Sequence, residues 1–277
     1  MKKITFTKLT GAGNDFILVD KKFNDGLTLS SEEIVKICDR RFGIGADGII
    51  IIDDNPEYDF SMLYFNSDGS LGSLCGNGAR CAIRYSEYSS RISDAHTNFF
   101  CNGEKFRGSI VDENEICFEL NPPKNIYLDG RILIDGVEIP YCYADTGSPH
   151  AVFFVDEFDK SDINSFNVFE IGRQIRYSDE FAPGGVNVNF IKIEDAGIKI
   201  RTYERGVEDE TLACGTGSVA AAITTYLKGL VQSPVILQTW GGDFLSVSFN
   251  YSNGEFEELT LQGPAKIVFN GEILLSN

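Results

Sequence analysis

The chain has 277 residues and an ordinary apolar share, enough to close a core around a sheltered site, and its composition excludes a disordered polymer. Its formal charge is −17 and no basic stripe interrupts the acidic surplus, which argues against nucleic acid as a partner. The opening MKKITFTKLTGAGNDF holds no apolar run of signal length, and nothing approaches the ~20 apolar residues of a membrane span, so a soluble cytoplasmic protein with no membrane partner is expected.

In chain order, ITFTKL and FILVD alternate as strands on either side of the Gly-rich turn GAGN. Ser30 to Glu33 forms a capping box, and Ile34, Val35, Ile37 and Cys38 suit a short helix behind it. GIIIID and YDFSMLYF read as strands, NSDGSLGSLCGNG as a turn-rich segment, and ARCAIRYSEYSS as a helix with Ala79, Ala82 and Ile83 on a closely packed face. Short strands follow from about Asn98 to Asp145. The second half repeats the plan. HAVFFVD is a strand, a helix runs around Phe166 to Arg176, VNVNFIKI and GIKIRTYE are strands, GVEDETLACGTG is turn-rich, and GSVAAAITTYLKG is an Ala-rich helix. VILQT, DFLSVSF, ELTLQ and AKIVF close the chain as strands. Strand, strand, polar loop, Cys-Gly-x-Gly and small-residue helix thus occur twice, about half the chain apart, which predicts a duplicated architecture. With NPPK (Asn121 to Lys124) as the linker, one lobe takes residues 1–120 plus 265–277 and carries Cys75, and the other takes 121–264 and carries Cys214.

Gly43, Gly45 and Gly48 match the dinucleotide fingerprint G-x-G-x-x-G in spacing only. They follow a predicted helix and precede a strand, whereas pyrophosphate binding needs a helix N-terminus after the glycines. The seven cysteines are odd in number and widely scattered, and there are only two histidines, so neither a disulfide framework nor a tetrahedral zinc site is expected. Most of the thiols read as small core residues.

Each Cys-Gly-x-Gly places a cysteine at a helix entrance, where unpaired N–H groups and the positive dipole end favour thiolate. The backbone amides of Gly76 and Asn77, or of Gly215 and Thr216, can hold a carboxylate. Taken singly, either copy is an ordinary Gly-rich helix start with a core cysteine. Taken together, two thiols presented to one small ligand suit the removal of a proton from one face of a carbon and its return to the other, the chemistry of racemases and epimerases. A different reading is a redox-responsive protein in which Cys75 and Cys214 pair as a regulatory disulfide.

KLTGAGNDFILVD, FNSDGSLGSLCGNGARC, TGSPHAV, GGVNVNF, YERGVEDETLACGTG and LQGPAKIVFNGEI, in this order, resemble the diaminopimelate epimerase family along nearly the whole chain. The resemblance implies an α+β fold of two similar lobes, each a barrel-like mixed sheet around a central helix, with the site in the cleft between them. It further implies a cofactor-independent isomerase without a metal, acting on an amino acid substrate, interconverting LL- and meso-diaminopimelate in lysine and peptidoglycan-precursor synthesis, and commonly homodimeric. By motif, Cys75 and Cys214 are the acid/base pair, with CGNG working beside His150 and CGTG beside Glu204. Asn14, Asn66, Gly76, Asn77, Ser148, Asn187, Glu204, Arg205, Gly215 and Thr216 correspond to substrate-binding positions, Arg205 as a fork for a distal carboxylate. Ser148 departs from the asparagine common in the family and offers one donor in place of two, which bears on the distal end of the substrate. A racemase of another amino acid, such as histidine or proline, is the alternative on the same scaffold.

Overall fold

The computed structural model describes residues 1–72 and 75–275. Ser73 and Leu74 of the turn-rich segment before Cys75, and residues 276–277 of the N-terminal lobe assignment, lie outside the described residues. The strands and helices run β1 (Lys2–Gly11), β2 (Asn14–Asp20), α1 (Ser31–Cys38), β3 (Gly48–Asp53), β4 (Phe60–Asn66), α2 (Gly76–Tyr88), β5 (His96–Cys101), β6 (Glu104–Ile110) and β7 (Glu115–Glu119). Then come β8 (Lys124–Ile134), β9 (Val137–Asp145), β10 (Pro149–Phe154), α3 (Val168–Arg176), β11 (Asn187–Glu194), β12 (Gly197–Glu204), β13 (Asp209–Thr211) and α4 (Gly215–Leu227). β14 (Val235–Gln238), β15 (Phe244–Ser252), β16 (Glu255–Pro264) and β17 (Lys266–Leu275) end the chain.

Two compact units result, Met1–Glu119 with Gly263–Asn277, and Leu120–Gln262. In the first unit the strands lie in the order β17-β1-β2-β3-β4-β5-β6-β7. In the second they lie in the order β8-β9-β10-β11-β12-β14-β15-β16. The senses agree position by position. β2 and β3 are parallel, as are β10 and β11, and β4 and β5 are parallel, as are β12 and β14, while the remaining neighbours in each series are antiparallel. Each parallel step is crossed by a helix, as it must be, because a parallel connection cannot close with a tight turn. β17 therefore fills in the first unit the place that β8 fills in the second.

One helix in each unit is buried on all sides. Gly76 to Ser86 of α2 and Gly215 to Thr225 of α4 are inaccessible along their whole length, and a helix that is enclosed all round needs small residues and satisfied hydroxyls. α4 meets this with Val219 to Ile223, whose AAA run admits close strands, and with Ser218 and Thr224 donating to the carbonyls of Cys214 (2.9 Å) and Ala220 (2.8 Å). Around the two helices the strands turn their apolar alternates inward. Phe60, Phe99, Phe106 and Phe118 pack together in the first unit, whereas in the second Tyr141, Phe153, Phe166 and Phe190 pack on the other face of the strands, with Val168 and Ile175 of α3. Each such buried aromatic contributes roughly 1.5–3 kcal/mol of burial.

The expected capping box at Ser30 and Glu33 is present. The third glycine of the false fingerprint, Gly48, opens strand β3, so no helix follows those glycines. Two boundaries differ from the sequence reading. α2 and α4 begin at Gly76 and Gly215, because a glycine directly after the N-cap is compatible with helix when the following turn is enclosed. The segment GVEDETLACGTG contains a short strand, β13, which pairs antiparallel with β12 across the Glu204↔Asp209 turn. No described helix is long and apolar enough to cross a membrane.

Candidate active site

Both Cys-Gly-x-Gly cysteines are the N-caps of the enclosed helices and have extended backbone, but only Cys75 caps its helix with its sulfur. Cys75 Sγ accepts from the Gly78 N–H at 3.5 Å. Cys214 Sγ lies 3.7 Å from Thr216 Oγ1. All seven cysteines are free, Cys75 and Cys117 partly exposed and the other five, Cys214 among them, buried. Burial pushes Cys38 and Cys81 up to about 12 and Cys101 and Cys142 up to about 11, so those four are protonated core groups at neutral pH.

In the first unit a run of polar side chains stands behind Cys75. Arg80, entirely buried one turn into α2, donates to Asn77 Oδ1 (2.8 Å) and to the carbonyl of Gly76 (3.3 Å). Asn77 Nδ2 donates to Asn14 Oδ1, and Asn14 Nδ2 donates to Asp47 Oδ2 (2.9 Å). Arg40 continues the run, donating to Asp47 Oδ1 (2.7 Å) and with two nitrogens to Asp15 (3.0 and 2.7 Å), which also holds Lys8 Nζ at 2.6 Å. Burial pushes the Asp15 carboxyl up, but the bonds and charges of Arg40 and Lys8 outweigh it and hold the group down at about 2. Asn14, Asn77 and Gly76 are thus tied together. Asn66 makes different bonds: its Nδ2 donates to Ser70 Oγ (3.0 Å) and its backbone closes a turn to Ser70. Sequence reasoning missed Arg80, Asp15 and Asp47, since nothing in the sequence around a charged residue in a helix, at a strand start or in a loop shows what will lie against it.

In the second unit Ser148, His150, Asn187, Cys214 and Thr216 are brought together. His150, on β10, is wholly buried, and its Nε2 lies 2.9 Å from Ser148 Oγ and 3.0 Å from Thr216 Oγ1, so it is hydrogen-bonded to the CGTG helix start, the motif that the family resemblance sets beside Glu204. Burial, and after it the charge of Arg205, push the imidazole down to about 3, so the ring is neutral across the physiological range. Asn187 joins three elements. Its Nδ2 donates to the carbonyl of Pro149 (3.0 Å) and reaches Ser148 Oγ (3.5 Å), and its Oδ1 accepts from the backbone N–H of Arg205 (2.9 Å). Glu204, the last residue of β12, accepts from Thr211 Oγ1 on β13 at 2.9 Å. Gly215 follows Cys214 as the first residue of α4, and the Thr216 carbonyl is held by Thr146 Oγ1 at 2.9 Å. A further buried residue, Asn189, lies against the far side of the His150 ring with Nδ2 3.1 Å from Nδ1. The alternation of VNVN, which sets Asn187 and Asn189 on one face of the strand, was the signal for it.

Among the described residues no three His, Cys, Asp or Glu side chains gather as metal ligands. What the two helix starts offer chemically is, in each unit, a sulfur at a helix N-terminus that can transfer a proton and terminal backbone amides that can hold an anion.

Residues 6–125 and 142–268 match the family model described as diaminopimelate epimerase. Among similar chains, the diaminopimelate epimerase of Aquifex aeolicus (strain VF5) is 40% identical over 280 residues, covering 97% of each chain. That of Chlorobaculum tepidum is 39% identical over 272 residues, covering 96% of this chain and all of the other. Two solved structures share the fold at low identity. A Bacillus anthracis phenazine biosynthesis protein of the PhzF family gives a TM-score of 0.75 at 16% identity, over 99% of this chain and 100% of that one. A probable proline racemase from Agrobacterium radiobacter gives 0.71 at 15% identity, over 99% and 93%.

Proposed function

The chain belongs to the diaminopimelate epimerase family, and from that premise we propose that it inverts an α-carbon of diaminopimelate, interconverting the LL and meso forms with Cys75 and Cys214 as the acid/base pair. The observation that carries the reading is the likeness to named epimerases along nearly the full length, joined to two helix starts that each present a cysteine as N-cap. One sulfur, as thiolate, takes the α-hydrogen as a proton. The C–H bond breaks, an S–H bond forms, and the electron pair spreads onto the substrate carboxylate, which backbone amides of Gly76 and Asn77 or Gly215 and Thr216 stabilise. The other sulfur, as thiol, returns a proton to the opposite face and is left as thiolate, so the pair stands ready for the reverse reaction and must exchange a proton before another turnover in the same direction. His150 and Glu204 accompany the thiols, and Asn14, Asn66, Asn77, Ser148, Asn187 and Arg205 contact the substrate, Arg205 pairing with its distal carboxylate.

A cytoplasmic homodimer is part of the same proposal, to be measured by light scattering on the purified chain. The racemase reading is not favoured, because the solved racemase shares the fold alone at 15% identity. The deciding assay is incubation with LL-diaminopimelate in deuterated water. Deuterium at the α-carbon together with meso product is expected. An unlabelled diaminopimelate, with label entering proline or histidine instead, would overturn the substrate.

A further inference from the structure

Asn189 sits on β11 between β10 and β12, fully buried, and its amide can be oriented without ambiguity. One end lies 3.0 Å from the carbonyl oxygen of Ala151 and 3.4 Å from that of Asn187. A carbonyl can only accept, so this end is the NH2 group. The other end, Oδ1, accepts from Thr202 Oγ1 at 3.0 Å, which agrees. The same NH2 group is 3.1 Å from His150 Nδ1 and cannot accept a hydrogen bond, so a proton on Nδ1 would face a donor, and Nδ1 is the unprotonated nitrogen of the ring. A neutral imidazole carries one proton, and here that proton is on Nε2.

The consequence runs towards sulfur. Nε2–H faces Ser148 Oγ and Thr216 Oγ1 at 2.9 and 3.0 Å. A Thr216 hydroxyl that accepts from the ring keeps its own O–H to give, and Cys214 Sγ is 3.7 Å away. We propose that Asn189 is a positioning residue that locks His150 as the Nε2–H tautomer, so that hydrogen bonds are donated in one direction, from Asn189 through His150 and Thr216 to the sulfur of Cys214. The proposal rests on Cys214 being a reactive thiol and deepens that reading. His150 is then a donor that favours thiolate at Cys214, and it does not act as a base, since its one lone pair is taken by Asn189. The start of α4 is fitted to this arrangement: a Cβ on Gly217 would stand 2.2 Å from Asn189 Oδ1.

Because the chain has only His96, which is exposed, and His150, 15N-labelled histidine resolves the question directly. In the whole protein, with His96→Gln used to assign the signals, His150 is expected to show an unprotonated Nδ1 and a protonated Nε2, unchanged between about pH 5 and 8. Asn189→Asp puts an acceptor where the donor was and is expected to move the proton to Nδ1, with kcat falling about tenfold or more, as for other residues that orient a histidine from behind, and KM changing less. A wild-type spectrum with the proton on Nδ1, or an imidazolium, overturns the proposal, as does a folded Asn189→Asp protein with the tautomer unchanged. Should that variant fail to fold, the wild-type spectrum alone decides. The spectrum needs no turnover, so a protein inert towards diaminopimelate with the Nε2–H tautomer would sink the epimerase reading and spare this one.

Discussion

Cys75 and Cys214 are the N-caps of the two enclosed helices, and we propose them as the acid/base pair, whereas Cys38, Cys81, Cys101 and Cys142 are held protonated by burial. Cys75→Ala and Cys214→Ala are each expected to lower kcat for α-proton exchange by at least ~10²-fold, the ordinary share of a positioned acid or base, with circular dichroism unchanged. Residual exchange near the wild-type rate in either variant would remove that cysteine from the reaction. A different expectation concerns Asp15. Its carboxyl is held at about 2 by Arg40 and Lys8 in the folded chain, below the usual value near 4 in an unfolded one. Its folded-state pKa is depressed, so its contribution to stability is present above about pH 4 and is lost as pH falls towards the folded value. Urea unfolding should therefore separate wild type from Asp15→Asn at neutral pH, and the gap should narrow on acidification. A gap independent of pH would deny the ion pairs that role. Sequence alone singled out the cysteines, Asn14 and Asn77 by motif, but Asp15 and Arg80 gain their importance only from what lies against them.

The two helix-opening motifs differ in one respect that their shared spelling hides. The second glycine of each, Gly78 and Gly217, is the third residue of its helix. A Cβ at Gly78 would meet only ordinary contacts, the nearest at 3.5 Å, while one at Gly217 would meet Asn189 Oδ1 at 2.2 Å. Gly78→Ala is expected to leave stability unchanged or raise it by up to ~1 kcal/mol through helix propensity. Gly217→Ala should cost ~1–3 kcal/mol by overpacking. Thermal denaturation of the two proteins checks the contrast, and equal melting temperatures would contradict it. The elements themselves were legible because their periods are clear: GIIIID can only be an enclosed strand or a short buried helix, and its six residues decide for the strand. β13 was missed because a three-residue strand has no period to read, and its pairing with β12 supplies what its sequence does not.

At the scale of the molecule, the matching strand orders explain why the chain must return to its beginning. β17 pairs with β1 from Lys2↔Leu275 to Thr10↔Lys266 and completes the sheet around α2. Ending the chain at Gln262 is expected to expose α2, so that its amides lose protection from hydrogen exchange while those of α4 stay protected. Protection of both helices in the shortened chain would mean that β17 is dispensable. The repeated Cys-Gly-x-Gly, the small-residue helices and the alternating strands are local in their physics, and so the sequence by itself determined the α+β class, the duplication and the two cysteines at helix entrances. Which nitrogen of His150 carries a proton, which side chains surround Arg80 and Asp15, and which of two identical glycines is intolerant of a methyl group depend on residues far apart in the chain. Burial makes those contacts decisive, because a polar group out of water must find its partner in the protein, and only the tertiary structure decided which partner that is.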